Sequence, residues 1–140
     1  MNQVTILSAG LLLAAAPCLL AVSSGAPEGM SGAPGDSNCT SCHGGSPNTG
    51  PGKVQIDFPG SYVPGQKGRV KVTIEDPNAA RWGFELTARP EANPQARAGL
   101  LESSDSQTQV LRQGVLEWIT HTTSGTRRGT RNTVTFEFDW

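Results

Sequence analysis

The stretch TVTFEFDW (133–140) alternates apolar and polar residues, and its apolar side chains fall on one side: Val134, Phe136 and Phe138. An alternation with a period of two residues is typical of a β-strand that turns one face toward a core. RVKVTIE (69–75) alternates in the same way and is followed by the turn formers Asp76-Pro77-Asn78. The two stretches therefore predict antiparallel β structure with one buried face.

Further short runs of the same kind occur between turn signals along the chain: VQIDF (54–58), WGFELTA (82–88), GLLES (99–103), TQVLR (108–112) and LEWITHT (116–122). Together with the first two they make about seven strands, spaced as in all-β sandwiches. No segment keeps the apolar spacing of a helix over more than two turns. We expect an all-β fold, an antiparallel β-sandwich, over residues 53–140.

The first part of the chain differs sharply from the rest. From Val4 to Val22 the sequence carries no charge, and small residues follow, which is typical of a secretory signal peptide. We predict a signal over residues 1–25, with cleavage after Ser23, Ser24 or Ala26. An uncleaved membrane anchor is the alternative, since the run is just long enough to span a bilayer. A lipid attachment at Cys18 fits poorly because a proline precedes it. Each interpretation places the rest of the chain outside the cytoplasm, as a periplasmic, cell-surface or secreted protein.

The charge balance excludes one class of partner. Eleven basic and twelve acidic side chains leave a formal charge of −1, so the chain offers no basic field for nucleic acid.

Residues 26–52 are rich in glycine and proline and show no hydrophobic period. Such a segment buries too little apolar surface to order itself, so something other than a side-chain core must order it. A covalently tethered haem, with its large apolar face, would do so.

Within this segment Cys39-Thr40-Ser41-Cys42-His43 forms a C-x-x-C-H motif, a signal for attachment of a c-type haem. Two thiols three positions apart can each add to one vinyl group of a porphyrin, and the next histidine can then ligate the iron. We expect one covalent haem c on Cys39 and Cys42, with His43 as the proximal iron ligand. The alternatives are a disulfide or redox pair between the cysteines, and a metal site without porphyrin.

The second axial position of the iron has few candidates. His121 is the only other histidine, and it shares a strand face with Ile119. A neutral histidine at such a place either satisfies a local hydrogen bond or ligates a metal, and because a haem needs a second ligand we take His121 as the candidate distal ligand. Met30 is a weaker alternative, and an open or externally ligated iron is the third. Five arginines could pair with haem propionates, although for each a solvated position on the surface is the more common case: Arg81, Arg89, Arg127, Arg128 and Arg131.

Several stretches in consistent order resemble a bacterial family of secreted β-sandwich domains related to the reeler (reelin-type) domain, known as choice-of-anchor V: SGAPGDSNCTSCH (31–43), YVPGQKGRVKVTI (62–74), WGFELTAR (82–89), AGLLES (98–103), WITHTTSGT (118–126) and TFEFDW (135–140). The resemblance implies an immunoglobulin-like sandwich with the C-x-x-C-H segment ahead of its first strand. It places His121 at a characteristic position of the family pattern. Family members commonly continue past the last tryptophan strand, sometimes to a C-terminal anchor. A membrane partner is thus expected only through such an anchor or an uncleaved N-terminal segment.

These observations predict an exported monohaem cytochrome that transfers electrons to a redox partner protein or an extracellular acceptor, with self-association through the haem as a further possibility. Two alternatives stay open. One is an extracellular binding or adhesion module with a Cys39–Cys42 disulfide and no haem. The other is a haem sensor or redox enzyme with an open iron site.

Overall fold

A computed structural model describes residues 22–127 and 131–140. Seven strands follow one another along the chain: β1 (Lys53–Asp57), β2 (Arg69–Glu75), β3 (Glu85–Leu86), β4 (Glu102–Ser103), β5 (Thr108–Gln113), β6 (Leu116–His121) and β7 (Thr133–Asp139). They form two antiparallel sheets, with the strand orders β1-β2-β7-β4 and β3-β6-β5. The predicted all-β sandwich is confirmed.

The arrangement of four strands against three is that of an immunoglobulin-like sandwich, but the chain fills it in a different order. In an immunoglobulin constant-type domain the larger sheet contains the first, second, fourth and fifth strands. Here β7 lies beside β2 in the larger sheet, and β5 lies beside β6 in the smaller one. The fifth and seventh strands have thus exchanged sheets relative to that domain.

The core lies between the sheets and rests on the pairing of β2 with β7. Their apolar residues stand directly opposite one another as three cross-strand pairs: Val70 with Phe138, Val72 with Phe136, and Ile74 with Val134. Phe84 of the facing sheet packs on this layer, with its ring centroid 4.6 Å from that of Phe136. Full burial of each such side chain stabilises the fold by about 1.5–3 kcal/mol. The alternation seen in the sequence therefore describes the inner face of this sheet correctly.

Strand β6 is buried on both faces, which a two-layer sandwich does not require. Ile119 and His121 lie on one face, while Trp118 and Thr120 lie on the other and are equally buried. Residues 24–38 cover this second face as a third layer. The backbone N–H of Ala26 donates to Oγ1 of Thr120 at 3.2 Å, for example.

This third layer changes the expectation for residues 26–52. The part before the cysteines makes hydrogen bonds and an ion pair to the small sheet and its flanking residues. Buried polar contacts of this kind were not predicted from the sequence, and the ordering role of a haem stays a prediction.

Two strands are shorter than the sequence predicts because side chains take up the backbone groups that would extend them. The stretch 82–88 forms only Glu85–Leu86, and the N–H of Phe84 donates to Nδ1 of His121 at 3.2 Å. The stretch 99–103 forms only Glu102–Ser103, and the N–H of Leu101 donates to the buried carboxylate of Glu117 at 3.1 Å.

Several predictions lie outside the described residues. These are the export signal up to residue 21, including Cys18, and the proposed role of Arg128. Among residues 22–127 and 131–140, no helix has the length and apolar character needed to cross a bilayer.

Candidate functional site

The C-x-x-C-H motif folds into a single turn of 3₁₀-helix at Cys39–Ser41. Asn38 caps the turn, because its side-chain oxygen accepts the N–H of Thr40 at 2.9 Å. The N–H groups of Cys42 and His43 both donate to the carbonyl of Cys39, at 3.2 and 2.9 Å. A 3₁₀-helix has about three residues per turn, so side chains three apart lie above one another. Cys39 begins the turn and Cys42 follows its last residue, and both line the same cleft.

Both thiols are exposed and free in the structure, and His43 is exposed as well. Exposed thiols are accessible to a reaction partner, which a buried pair would not be.

One cleft brings together all five residues that the sequence singled out. Its walls include Cys39, Cys42, His43, Met30 and His121, together with Phe84 and Glu85. The motif and the end of β6 are some eighty residues apart in sequence, so this meeting depends on the packing of residues 24–38 against the small sheet. The volume of the cleft is about 100 Å³.

His121 forms the inner wall of the cleft and is 7% exposed. Burial lowers the pKa of His121, and a hydrogen bond to the backbone of Phe84 raises it again only in part. The imidazole is thereby kept in the neutral form that a metal ligand requires. The ring also lies against Gly83, where a Cβ atom would stand 2.6 Å from its Cε1 atom.

The hydrogen bonds of the His121 ring within the described residues all involve Nδ1. This nitrogen lies 3.2 Å from the N–H of Phe84 and 3.4 Å from the carbonyl oxygen of the same residue. If Nδ1 carries the proton it donates to that carbonyl, and Nε2 then has its lone pair free for a metal. If Nδ1 accepts from the N–H, the proton is on Nε2. Ligation by His121 therefore selects the first tautomer.

Met30 is fixed at the cleft by its backbone. The Glu85 carboxylate accepts the N–H groups of Gly29 and Met30 at 3.0 and 3.1 Å. Burial raises the pKa of Glu85 to about 7, with the two backbone hydrogen bonds opposing that rise and the charges of Asp36 and Glu28 adding to it. Glu85 is not among the residues predicted from the sequence. It lies between Phe84 and Leu86, on the strand face opposite to these core residues. That alternation is the sequence feature from which its position could have been predicted.

A buried cluster of Asp36, Arg89 and Trp118 anchors the same segment, and the sequence did not predict it. Asp36 lies 2.6 Å from the guanidinium of Arg89 and accepts the indole N–H of Trp118 at 2.7 Å. Burial raises the pKa of Asp36. The hydrogen bonds from Ser31, Trp118 and Arg89 and the charge of Arg89 outweigh that effect, so the pKa lies below its ordinary value. Arg89 is therefore neither a solvated surface residue nor free to pair with a propionate.

The donor set fits a c-type haem in its chemistry. Two accessible thiols in one short turn, a histidine directly after them and a neutral imidazole across the cleft are the groups that such a haem requires. The cleft is too small to enclose a macrocycle, so these residues would hold a haem across the mouth of the cleft, with much of it exposed. Among the described residues, no group of three or more histidine, cysteine or acidic side chains forms a metal site without a porphyrin.

A second hollow of about 440 Å³ lies along β1 and β2 and is lined by Lys53, Val54, Gln55, Thr73 and Glu75. It contains neither thiol nor imidazole, so the chemistry predicted from the sequence belongs to the smaller cleft.

Comparisons with protein-family models, with curated proteins and with solved structures found no match. The resemblance to the reeler-like family accordingly stays a prediction, and any function has to be argued from the site.

Proposed function

We propose that this chain is an exported monohaem c-type cytochrome that transfers electrons outside the cytoplasm to a protein or extracellular acceptor. The observation that carries the proposal is the shared cleft: the C-x-x-C-H turn lies beside Met30 and also beside His121, which is some eighty residues away in the sequence.

The thiols of Cys39 and Cys42 would hold the cofactor. Each would add across one vinyl group of a porphyrin, with a sulfur–carbon bond formed and the thiol hydrogen passed to the other vinyl carbon. No oxidant is consumed, and the free, exposed state of both thiols suits the reaction. Both cysteines belong to one capped turn and line the same cleft, which suits two vinyl groups on one ring.

His43 and His121 are the residues that would hold the iron. His43 follows Cys42 directly, so a haem attached at the cysteines would lie within its reach. His121 would bind from the sandwich through Nε2, which requires the tautomer whose Nδ1–H donates to the carbonyl of Phe84 in place of the hydrogen bond from the Phe84 N–H to Nδ1. Met30 lines the same cleft and is the competing ligand. The bound haem would supply a one-electron Fe(III)/Fe(II) couple.

Residues of the sandwich restrict the movement of the proposed site. Glu85 fixes the backbone at Met30, and Asp36 with Arg89 fixes the chain three residues before Cys39. A site that moves little between oxidation states transfers electrons with little reorganisation. An exposed haem edge would also favour electron transfer, since a partner could approach it closely.

The visible spectrum of the protein purified from its own host tests the proposal. We expect a spectrum that changes reversibly between oxidised and reduced forms, with the bands of a six-coordinate, low-spin c-type haem. A colourless protein with a Cys39–Cys42 disulfide would support the adhesion module instead. A high-spin spectrum that responds to added carbon monoxide in both wild type and His121→Ala would support the sensor or enzyme with an open iron.

A further inference from the structure

Strand β1 stands apart from the rest of the sandwich because none of its residues is buried. It forms one edge of the larger sheet, and β2 is its only neighbour among the described strands. Its side chains Val54 and Ile56 pair with Ile74 and Val72 of β2, so they point to the core side of the sheet. The opposite sheet has one strand fewer, and β1 overhangs it. As a result Val54 is 66% and Ile56 56% exposed.

An edge strand with free N–H and C=O groups is a template for another strand, and natural proteins commonly block such edges with a central charge, a proline or a bulge. The sequence of β1, Lys-Val-Gln-Ile-Asp, has charges only at its two ends. Prolines bracket it at positions 51 and 59, both four residues from Gln55. The strand is thus limited in length but left open along its centre.

The residues of β1 are complementary to themselves in antiparallel order. If two copies pair about Gln55, Lys53 of one copy stands opposite Asp57 of the other, at both ends of the interface. Val54 stands opposite Ile56 of the second copy, twice, on the same face. Within the described residues neither Lys53 nor Asp57 takes part in an ion pair. In its own sheet Lys53 stands opposite Glu75 and Asp57 opposite Lys71, and the Asp57 carboxylate accepts a hydrogen bond from Gln55 at 2.7 Å, so a second copy would share these charges.

The backbone permits the same register. Pairing about Gln55 places odd-numbered residues opposite odd and even opposite even, so the outward groups of one copy meet the outward groups of the other. A shift of two residues in either direction breaks both ion pairs and brings a proline opposite the strand. Like charges directly opposite each other are unfavourable and opposite charges favourable, which fixes the register further.

We propose that two copies of this chain associate through β1, in antiparallel register about Gln55, and join their four-stranded sheets into one eight-stranded sheet with twofold symmetry. We take the partner of the exposed edge to be a second copy of the chain. In antiparallel order the β1 strands of two copies match each other in the positions of their charges, in their apolar face and in their length. The paired strand has only five residues in each copy, and small interfaces are weak, so we expect the dimer to form with rising concentration. This inference does not depend on the haem.

Sedimentation velocity on the exported full chain, over a concentration series, tests the inference with two charge variants. In Lys53→Asp both ends of β1 are acidic, and in Asp57→Lys both are basic. Each alone is expected to stay monomeric, whereas an equimolar mixture of the two is expected to recover a twofold mass. Ile56→Lys is expected to stay monomeric at all concentrations, and the control Val115→Lys, at another exposed apolar position, to dimerise like wild type.

Each charge variant also places a like charge opposite its own β2, next to Glu75 or Lys71. Thermal melts identify any loss of folding from this cause, and recovery of the dimer in the mixture shows that both chains are folded. A wild type that stays monomeric throughout, or a mixture that fails to dimerise when wild type does, would overturn the proposal. So would an Ile56→Lys dimer like that of wild type.

Association through the haem is a separate possibility, and Cys39→Ser/Cys42→Ser distinguishes it. This variant carries no covalent haem and is expected to dimerise as wild type does. If it is monomeric while wild type is dimeric, association runs through the haem segment and the β1 proposal is wrong.

Discussion

Asp36 and Arg89 form an ion pair 2.6 Å apart, and each side chain is only 5% exposed. The two residues are 53 positions apart in sequence. Arg89 also donates to the carbonyl of Pro34 at 2.8 Å, and its guanidinium lies 5.4 Å from the ring centre of Trp118. This pair joins the glycine- and proline-rich segment to the small sheet, and the position of the cysteine turn depends on it.

Removal of one partner should therefore be costly. Asp36→Asn leaves the guanidinium of Arg89 buried without a countercharge, and we expect the free energy of unfolding to fall by about 3 kcal/mol. Urea unfolding at neutral pH measures the change. The matched control is Glu91→Gln, the same carboxylate-to-amide change at an exposed position, which should cost less than about 0.5 kcal/mol. Equal stability of the two variants would show that the pair does not anchor the segment.

The same pair predicts a dependence of stability on pH. The pKa of Asp36 in the folded protein is below its ordinary value of 3.8, so its ionised form contributes stability that is complete above that value. That stability is lost as the pH falls through the folded pKa. Wild type should thus lose stability more steeply than Asp36→Asn between pH 4 and pH 2.

Unfolding curves at several acidic pH values test this, and they are best taken below pH 4.5. Glu85, with its pKa raised to about 7, is protonated there in the folded chain and largely so in the unfolded chain, so it adds little slope. Glu117, whose pKa is also lowered, contributes equally to both proteins. Parallel curves for wild type and Asp36→Asn would contradict the prediction.

Replacement of the candidate distal ligand should change the spin state of the iron. In haem-loaded protein His121→Ala removes the imidazole from the cleft, and we expect a low-spin spectrum to become high-spin. Met30→Leu, which keeps the size of the side chain, should leave the spectrum as in wild type. The opposite pattern, with His121→Ala unchanged and Met30→Leu high-spin, would make Met30 the ligand.

The position of the His121 ring depends on a glycine at position 83, because the ring lies where a side chain at that position would stand. Gly83→Ala would place a methyl group 2.6 Å from Cε1 of the imidazole, and overpacking of this kind costs about 1–3 kcal/mol. We expect a lower melting temperature for this variant. Gly60→Ala is the control, because a Cβ at that position meets no atom within 4 Å. If both variants melt alike, the ring has room to move and Gly83 does not position it.

Sequence patterns predict this fold well where the chain alternates. The inner faces of β2 and β7 follow from the period of two residues, since apolar side chains on one face of a strand have no other place to be buried. The patterns overestimate the lengths of β3 and β4. His121 and Glu117 accept backbone N–H groups that would have paired with a neighbouring strand if β3 and β4 were longer. A pattern of residue types cannot reveal such competition.

The candidate residues of the site follow from the sequence, but the contacts that position them do not. The motif points to Cys39, Cys42 and His43, and the scarcity of histidine points to His121; their role as haem ligands stays a prediction. The contacts of Asp36 and Glu85 join residues more than fifty positions apart, and each joins a turn-rich segment to a strand. Composition describes such a segment as unable to form a core, and it does not show the few buried polar contacts that join the segment to the sandwich.

The central claim is that Cys39 and Cys42 carry a haem, and mass spectrometry of the peptide that contains both residues tests it most directly. The protein is produced with a haem-attachment system, extracted with acidified acetone and digested. We predict that the peptide gains the mass of one haem and keeps its Soret absorption through the extraction, and that Cys39→Ser/Cys42→Ser shows neither. A peptide of unmodified mass, or one lighter by two hydrogens as a disulfide would be, would contradict the account.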